Sequence, residues 1–114
     1  MKIKAKIKNT ENPEKLMKNI KKIIPTAELN IIEEKVIEGR GNFKEIWELA
    51  EKQKIKNTLM HELEKNKRKE KTFLELDKTA SSEGKISTYI NSASGNIRLE
   101  IPWLEVEKTK QIDG

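Results

Sequence analysis

Few residues in this chain are of the kinds that do chemistry, and their spacing narrows the options quickly. His61 is the only imidazole among 114 residues, and there is no cysteine. A hydrolytic triad needs a nucleophile, a base and an orienting acid held in contact. His61 lies in a helical stretch beside Glu62 and Glu64, which reads as an exposed helical histidine rather than a catalytic base. The missing cysteine removes disulfide frameworks, thiolate zinc sites, iron–sulfur clusters and cysteine nucleophiles together. One histidine cannot build a histidine-rich metal site, and no Asp/Glu cluster has the loop spacing of a magnesium site. Glu33 and Glu34 are adjacent in an expected turn, so their carboxylates point apart and do not form an acid/base pair. Gly39-Arg40-Gly41 is glycine-rich like an anion-binding turn, but the Lys-Ser/Thr of a phosphate-binding loop does not follow it. The expectation is a protein that is not an enzyme, with no metal and no cofactor.

The basic residues point somewhere more definite. Lys2, Lys4, Lys6 and Lys8 alternate with Ile3, Ala5 and Ile7 at period two. On a strand these lysines share one side, with Cα atoms repeating at roughly 7 Å, or two strand rises. That is similar to the spacing of successive phosphates, so the row could follow a nucleic-acid backbone. The plainer alternatives are an edge strand guarded by lysines or, if the strand is central, a solvated sheet surface. A second basic run holds Lys65, Lys67, Arg68, Lys69 and Lys71, diluted by Glu64 and Glu70. It reads as a solvated loop or as a mobile arm that contacts RNA. The candidate RNA-binding residues are Lys2, Lys4, Lys6, Lys8, Arg40, Lys67, Arg68, Lys69 and Lys85. Aromatic residues are scarce. Phe43 and Trp47 fall on an apolar helical face, Trp103 caps the core or anchors a partner, and Phe73 and Tyr89 are the remaining stacking candidates. RNA binding would therefore rest on phosphate and shape contacts more than on base readout.

The elements that must position these residues follow from periodicity. Residues 2–8 read as a half-buried strand. Asn12-Pro13-Glu14 reads as a helix start, with a capping amide acceptor, a proline at the first helical position and an acid at the positive end of the dipole. Leu16, Met17, Ile20, Ile23 and Ile24 make the buried stripe of that helix, which Pro25 ends. Ala27, Leu29 and Ile31 suggest a second strand, Glu33-Glu34 a turn, and Lys35–Glu38 a third strand. Gly39-Arg40-Gly41 reads as a flexible break. Asn42 caps a second helix carrying Phe43, Ile46, Trp47 and Ala50, and a third helix begins near Asn57-Thr58. Thr72, Leu74 and Leu76 alternate in a fourth strand, and Thr79–Gly84 reads as a polar loop. Ile86, Thr88 and Ile90 suggest a fifth strand. Residues 91–95 form a turn cluster, and Ile97, Leu99 and Ile101 complete a sixth strand.

The order β-α-β-β-α-α-β-β-β is an α+β layout: a mixed, mainly antiparallel sheet with helices packed on one face. Residues 1–104 are expected to form a single domain and 105–114 a polar C-terminal tail. Charged residues make up 38% of the chain and the formal net charge is +5, supplied almost wholly by lysine. Such a balance favours polyanions such as structured RNA or, alternatively, serves solubility. No apolar run reaches membrane-span length, and the lysines near the start leave no signal-peptide core, so a cytoplasmic protein that meets no membrane is expected.

Four segments carry a family resemblance: Asn12-Pro13-Glu14-Lys15, Gln53-Lys54-Ile55-Lys56-Asn57-Thr58, Leu76-Asp77-Lys78-Thr79-Ala80 followed by Gly84-Lys85, and Gly95-Asn96-Ile97-Arg98-Leu99-Glu100-Ile101. In these the chain resembles the archaeal protein family UPF0201. The family is similar in fold to the large-subunit ribosomal protein that binds 5S RNA, so the resemblance implies that fold and, by analogy alone, an RNA role. It brings no activity and no cofactor. Thr79 and Ser81 depart from the Gln and Ala more usual there, and the part after Trp103-Leu104 diverges. The competing expectation is a protein-interaction or self-association module, a homodimer for example, that meets its partner through Trp103 or an open strand edge.

Overall fold

The computed structural model describes every residue but Asn91, Ser92, Ser94 and Gly114. The chain runs β1 (Lys2–Lys6), α1 (Pro13–Ile23), β2 (Glu28–Ile32), β3 (Val36–Arg40), α2 (Phe43–Lys52), α3 (Lys56–Lys65), β4 (Lys71–Asp77), α4 (Lys78–Ser82), β5 (Asn96–Pro102) and α5 (Trp103–Asp113). The strands form one sheet in the order β2-β3-β1-β5-β4, and every neighbouring pair is antiparallel. The α+β class holds. The first two helices start as their sequences dictate. Asn12 accepts the N–H groups of Glu14 and Lys15 at 2.9 and 3.1 Å, with Pro13 next to it in the first helical turn. Asn42 accepts the Lys44 N–H at 3.0 Å.

The core lies between the sheet and the helices. Ile3 and Ala5 of β1, Ile37 of β3, Leu74 and Leu76 of β4, and Ile97, Leu99 and Ile101 of β5 face it. Leu16 and Ile20 of α1, Phe43 and Ile46 of α2, and Leu59 and Leu63 of α3 close it from above. Period two on the strands and period 3.6 on the helices are what bring these residues to one interior.

Four expectations change. No strand forms at 86–90. Ile86 is instead clamped by the Gln53 side chain, whose amide donates to Ile86 O at 2.9 Å and accepts the Ile86 N–H at 2.8 Å. Ser87 O accepts the Asp77 N–H at 2.9 Å. Of the alternating Ile86, Thr88 and Ile90, only Ile86 is buried, so the pattern had no core to face. The loop expected at 79–84 begins as α4, because Asp77 caps it by accepting the Ala80 N–H at 3.1 Å. The polar tail expected at 105–114 is α5, which packs on α2 and buries Val106. One apolar side chain and Thr109, whose hydroxyl donates back to Glu105 O at 2.8 Å, leave too sparse a stripe to read as a helix from sequence. Gly39 and Arg40 are not a flexible break but the end of β3, paired with both β1 and β2. The turn cluster at 91–95 lies largely outside the described residues.

The β2–β3 connection is strained. Glu33 and Glu34 both take left-handed backbone angles, φ 51° and 59°. The twist of a tight hairpin demands this, but side chains with a Cβ resist it. Glu34→Gly should raise stability by about 1 kcal/mol, or about 4 °C in melting temperature for a chain of this size. Thermal denaturation followed by circular dichroism checks it. An unchanged melting temperature would show that the turn stores no strain.

Candidate nucleic-acid interface

One face of the sheet carries the helices, and the other is open. Strand parity sends Lys2, Lys4 and Lys6 of β1 to the open face, and all three are exposed. The lysine row lies on the central strand, so it guards no sheet edge. Antiparallel register then sets the neighbours of each lysine. Lys2 stands directly across from Arg40 of β3 on one side and Glu100 of β5 on the other. Lys4 stands across from Glu38 and Arg98. Glu28 of β2 lies beyond Arg40, and Glu75 of β4 beyond Arg98.

Two rows of charge therefore cross the open face. The first reads Glu28, Arg40, Lys2, Glu100; the second reads Glu38, Lys4, Arg98, Glu75. Each is acid–base–base–acid, and the second is displaced by one strand relative to the first. The result is a diagonal cationic strip with acidic borders. Lys2 forms an exposed ion pair with Glu100 at 3.8 Å, which contributes little. Lys4, Lys6 and Arg40 have no ion pair among the described residues. Arg98 stacks over the Phe73 ring at 4.5 Å, and Lys71 approaches the same ring at 5.6 Å. The strip floors a shallow depression of about 730 Å³.

The other expected residues are dispersed. Lys8 lies past the end of β1, where its N–H donates to the Glu11 carboxylate at 2.8 Å. The run at 65–71 is a tight connection rather than an arm. Arg68 N–H donates to Lys71 O at 2.8 Å, Lys69 sits at φ 57°, and Lys67 stands over the Trp103 ring at 4.5 Å. Arg68 and Lys65 line a second depression that also touches Phe73 and Arg98. Lys85 follows α4, where its N–H donates to Ala80 O at 3.1 Å, and it does not line the open-face depression. Tyr89 is exposed in the loop that replaces the expected strand. Among the described residues, no three of His, Asp and Glu gather as a metal site would require. His61 is exposed on α3.

Arg98 is the residue that sequence reasoning missed. Its parity opposite Ile97 and Leu99 placed it on the open face, but only the β1–β5 register sets it beside Lys4.

The same architecture occurs in the crystal structure of the UPF0201 protein from Methanococcus jannaschii, with a TM-score of 0.84 and 32% identity over 97% of this chain and 93% of that one. The chain belongs to the UPF0201 family. A UPF0201 protein of Methanothermobacter thermautotrophicus is 27% identical over 106 residues, which are 89% of this chain and 80% of the relative. A UPF0200/UPF0201 protein of Archaeoglobus fulgidus is 33% identical over 86 residues, 75% of this chain, which spans about a quarter of that longer relative (27%). No family model matches the chain. Among the described residues of this UPF0201 protein, no helix is long and apolar enough to cross a membrane.

Proposed function

We propose that this UPF0201 protein is a non-catalytic module that binds structured RNA on its open sheet face, through phosphate and shape contacts. The observation that carries the reading is the cross-strand pairing of like charges, Lys2 with Arg40 and Lys4 with Arg98, at the centre of the sheet. Like charges directly opposite one another are destabilising. A polyanion laid over them reverses that cost, because each cation that replaces a condensed counterion on a phosphate releases it. The acidic borders repel phosphate and would confine a backbone to the diagonal strip. Phe73, already stacked under Arg98, supplies a rigid support more than a free platform.

The test is binding of a structured RNA across a salt series. Affinity should fall steeply with salt, and Lys4→Ala/Lys6→Ala should lower the slope of log affinity against log salt by about 1.5, from 0.7–0.9 per lost phosphate contact. Both side chains are exposed, so the fold should be unaffected. Absent binding at low salt, or an unchanged slope in the double variant, would overturn the reading.

A further inference from the structure

The two edges of the sheet are treated differently. The β4 edge is covered by the chain itself at several points. Arg68 and Lys71 exchange backbone hydrogen bonds at 2.8 and 3.2 Å, Asn66 Nδ2 donates to Phe73 O at 3.0 Å, and the Asp77 N–H donates to Ser87 O at 2.9 Å. At the β2 edge, none of the hydrogen bonds among the described residues reaches the backbone groups that face away from β3. Exposed edges are normally guarded by lysine, proline, a bulge or a covering loop. The strand Glu28-Leu29-Asn30-Ile31-Ile32 has no lysine and no proline, and Ile31 and Ile32 are 37% and 44% exposed. A chain rich in lysine has thus placed its lysine row on the central strand and left the true edge unguarded.

We infer that a second copy of this chain occupies that edge, with β2 pairing antiparallel to β2 of the other copy about a two-fold axis at Asn30. The strand is complementary to itself in this register, and all five residues are paired. On the helix side, where the partners of Leu29 and Ile31 are Gly39 and Ile37, Leu29 meets the second copy's Ile31 and Ile31 meets its Leu29. On the open side Asn30 meets Asn30, and each amide can both donate and accept. Glu28 falls across from Ile32, so no acid faces an acid. A strand of another protein would have to match this pattern; a second copy does so by symmetry. The product is a ten-stranded sheet with both cationic strips on one side, their β1 strands five spacings or about 24 Å apart.

Sedimentation over a concentration series should show a monomer–dimer equilibrium. The chain has no cysteine, so Asn30→Cys adds a single thiol. Residues opposed at the two-fold would have Cα atoms about 5 Å apart, within disulfide range. Mild oxidation should link Asn30→Cys into a dimer and leave Glu75→Cys, on the opposite edge strand, monomeric. Asn30→Lys should weaken association at least tenfold, with an unchanged melting curve at concentrations low enough for both proteins to be monomeric, since Asn30 is exposed. A wild-type chain that sediments as a monomer at every concentration overturns the inference and leaves the edge to a foreign strand. A dimer that Asn30→Lys leaves intact overturns it too. The outcome is independent of RNA: failed binding with successful crosslinking removes the proposed function and keeps the dimer.

Discussion

Lys78→Ala is expected to lower stability by about 3 kcal/mol, the range for removing one partner of a buried ion pair. Lys78 is 4% exposed. Its ammonium donates to the Glu11 carboxylate at 2.9 Å and to Lys6 O at the end of β1. The same Glu11 oxygen accepts the Lys8 N–H. One side chain thus ties the last residue of the central strand, the turn that follows it and the first residue of α4. Alanine would leave a mostly buried carboxylate and a strand carbonyl without their cation. The melting temperature should drop by about 12 °C. Lys78→Met keeps the aliphatic stem and should fall between wild type and Lys78→Ala. Adding Glu11→Gln to Lys78→Met should recover part of the loss, because the orphaned charge goes with it. Denaturant titration of the four proteins checks this. A loss under about 1 kcal/mol in Lys78→Ala, the range of an exposed pair, would mean that water replaces the ammonium at no cost.

Gly39→Ala is expected to detach β2 from the sheet. A Cβ at Gly39 would lie 2.0 Å from Glu28 O and 2.8 Å from Leu29 Cδ2. The first of these is backbone of the paired strand, so no side-chain rotation relieves it. Gly39 has no positive φ; the demand is for space, not for an unusual backbone angle. Overpacking of this kind costs about 3 kcal/mol. The loss should be local: amide exchange at Glu28–Ile32 should accelerate far more than at β1, β4 or β5, as expected for a unit that opens separately. Self-association should disappear with it, since the proposed contact strand is no longer held. Hydrogen exchange read by mass spectrometry gives the first result and sedimentation the second. Uniform exchange changes would show that β2 unfolds only with the whole domain.

The Gly39 case shows where sequence reasoning stops. A Gly-Arg-Gly triplet has the local composition of a flexible break, and composition is all that a single strand displays. Its actual role depends on a strand ten residues earlier lying against it. The 86–90 segment failed for the same reason. Its alternation is real, but the Gln53 amide took both backbone groups of Ile86, and the segment touches the edge strand β4 only through the Asp77 N–H and Ser87 O. The helix α5 was hidden because its apolar contacts are few, Val106 and part of Trp103, and much of its docking is polar, with the Glu105 carboxylate accepting the Phe43 N–H at 2.8 Å.

The amino-acid sequence by itself determined the α+β class, the caps at Asn12 and Asn42, the buried stripes of the helices, the absence of cysteine and the single histidine, and the sharing of one strand face by Lys2, Lys4 and Lys6. These are local properties, set by period, cap chemistry and residue type. The tertiary structure decided that β1 is central, that Arg40 and Arg98 flank its lysines, that acids border them and that β2 is the open edge. Each of these depends on which strands pair and in what register. Register is a property of two segments far apart in the chain, and it is set by the core they share rather than by either one alone.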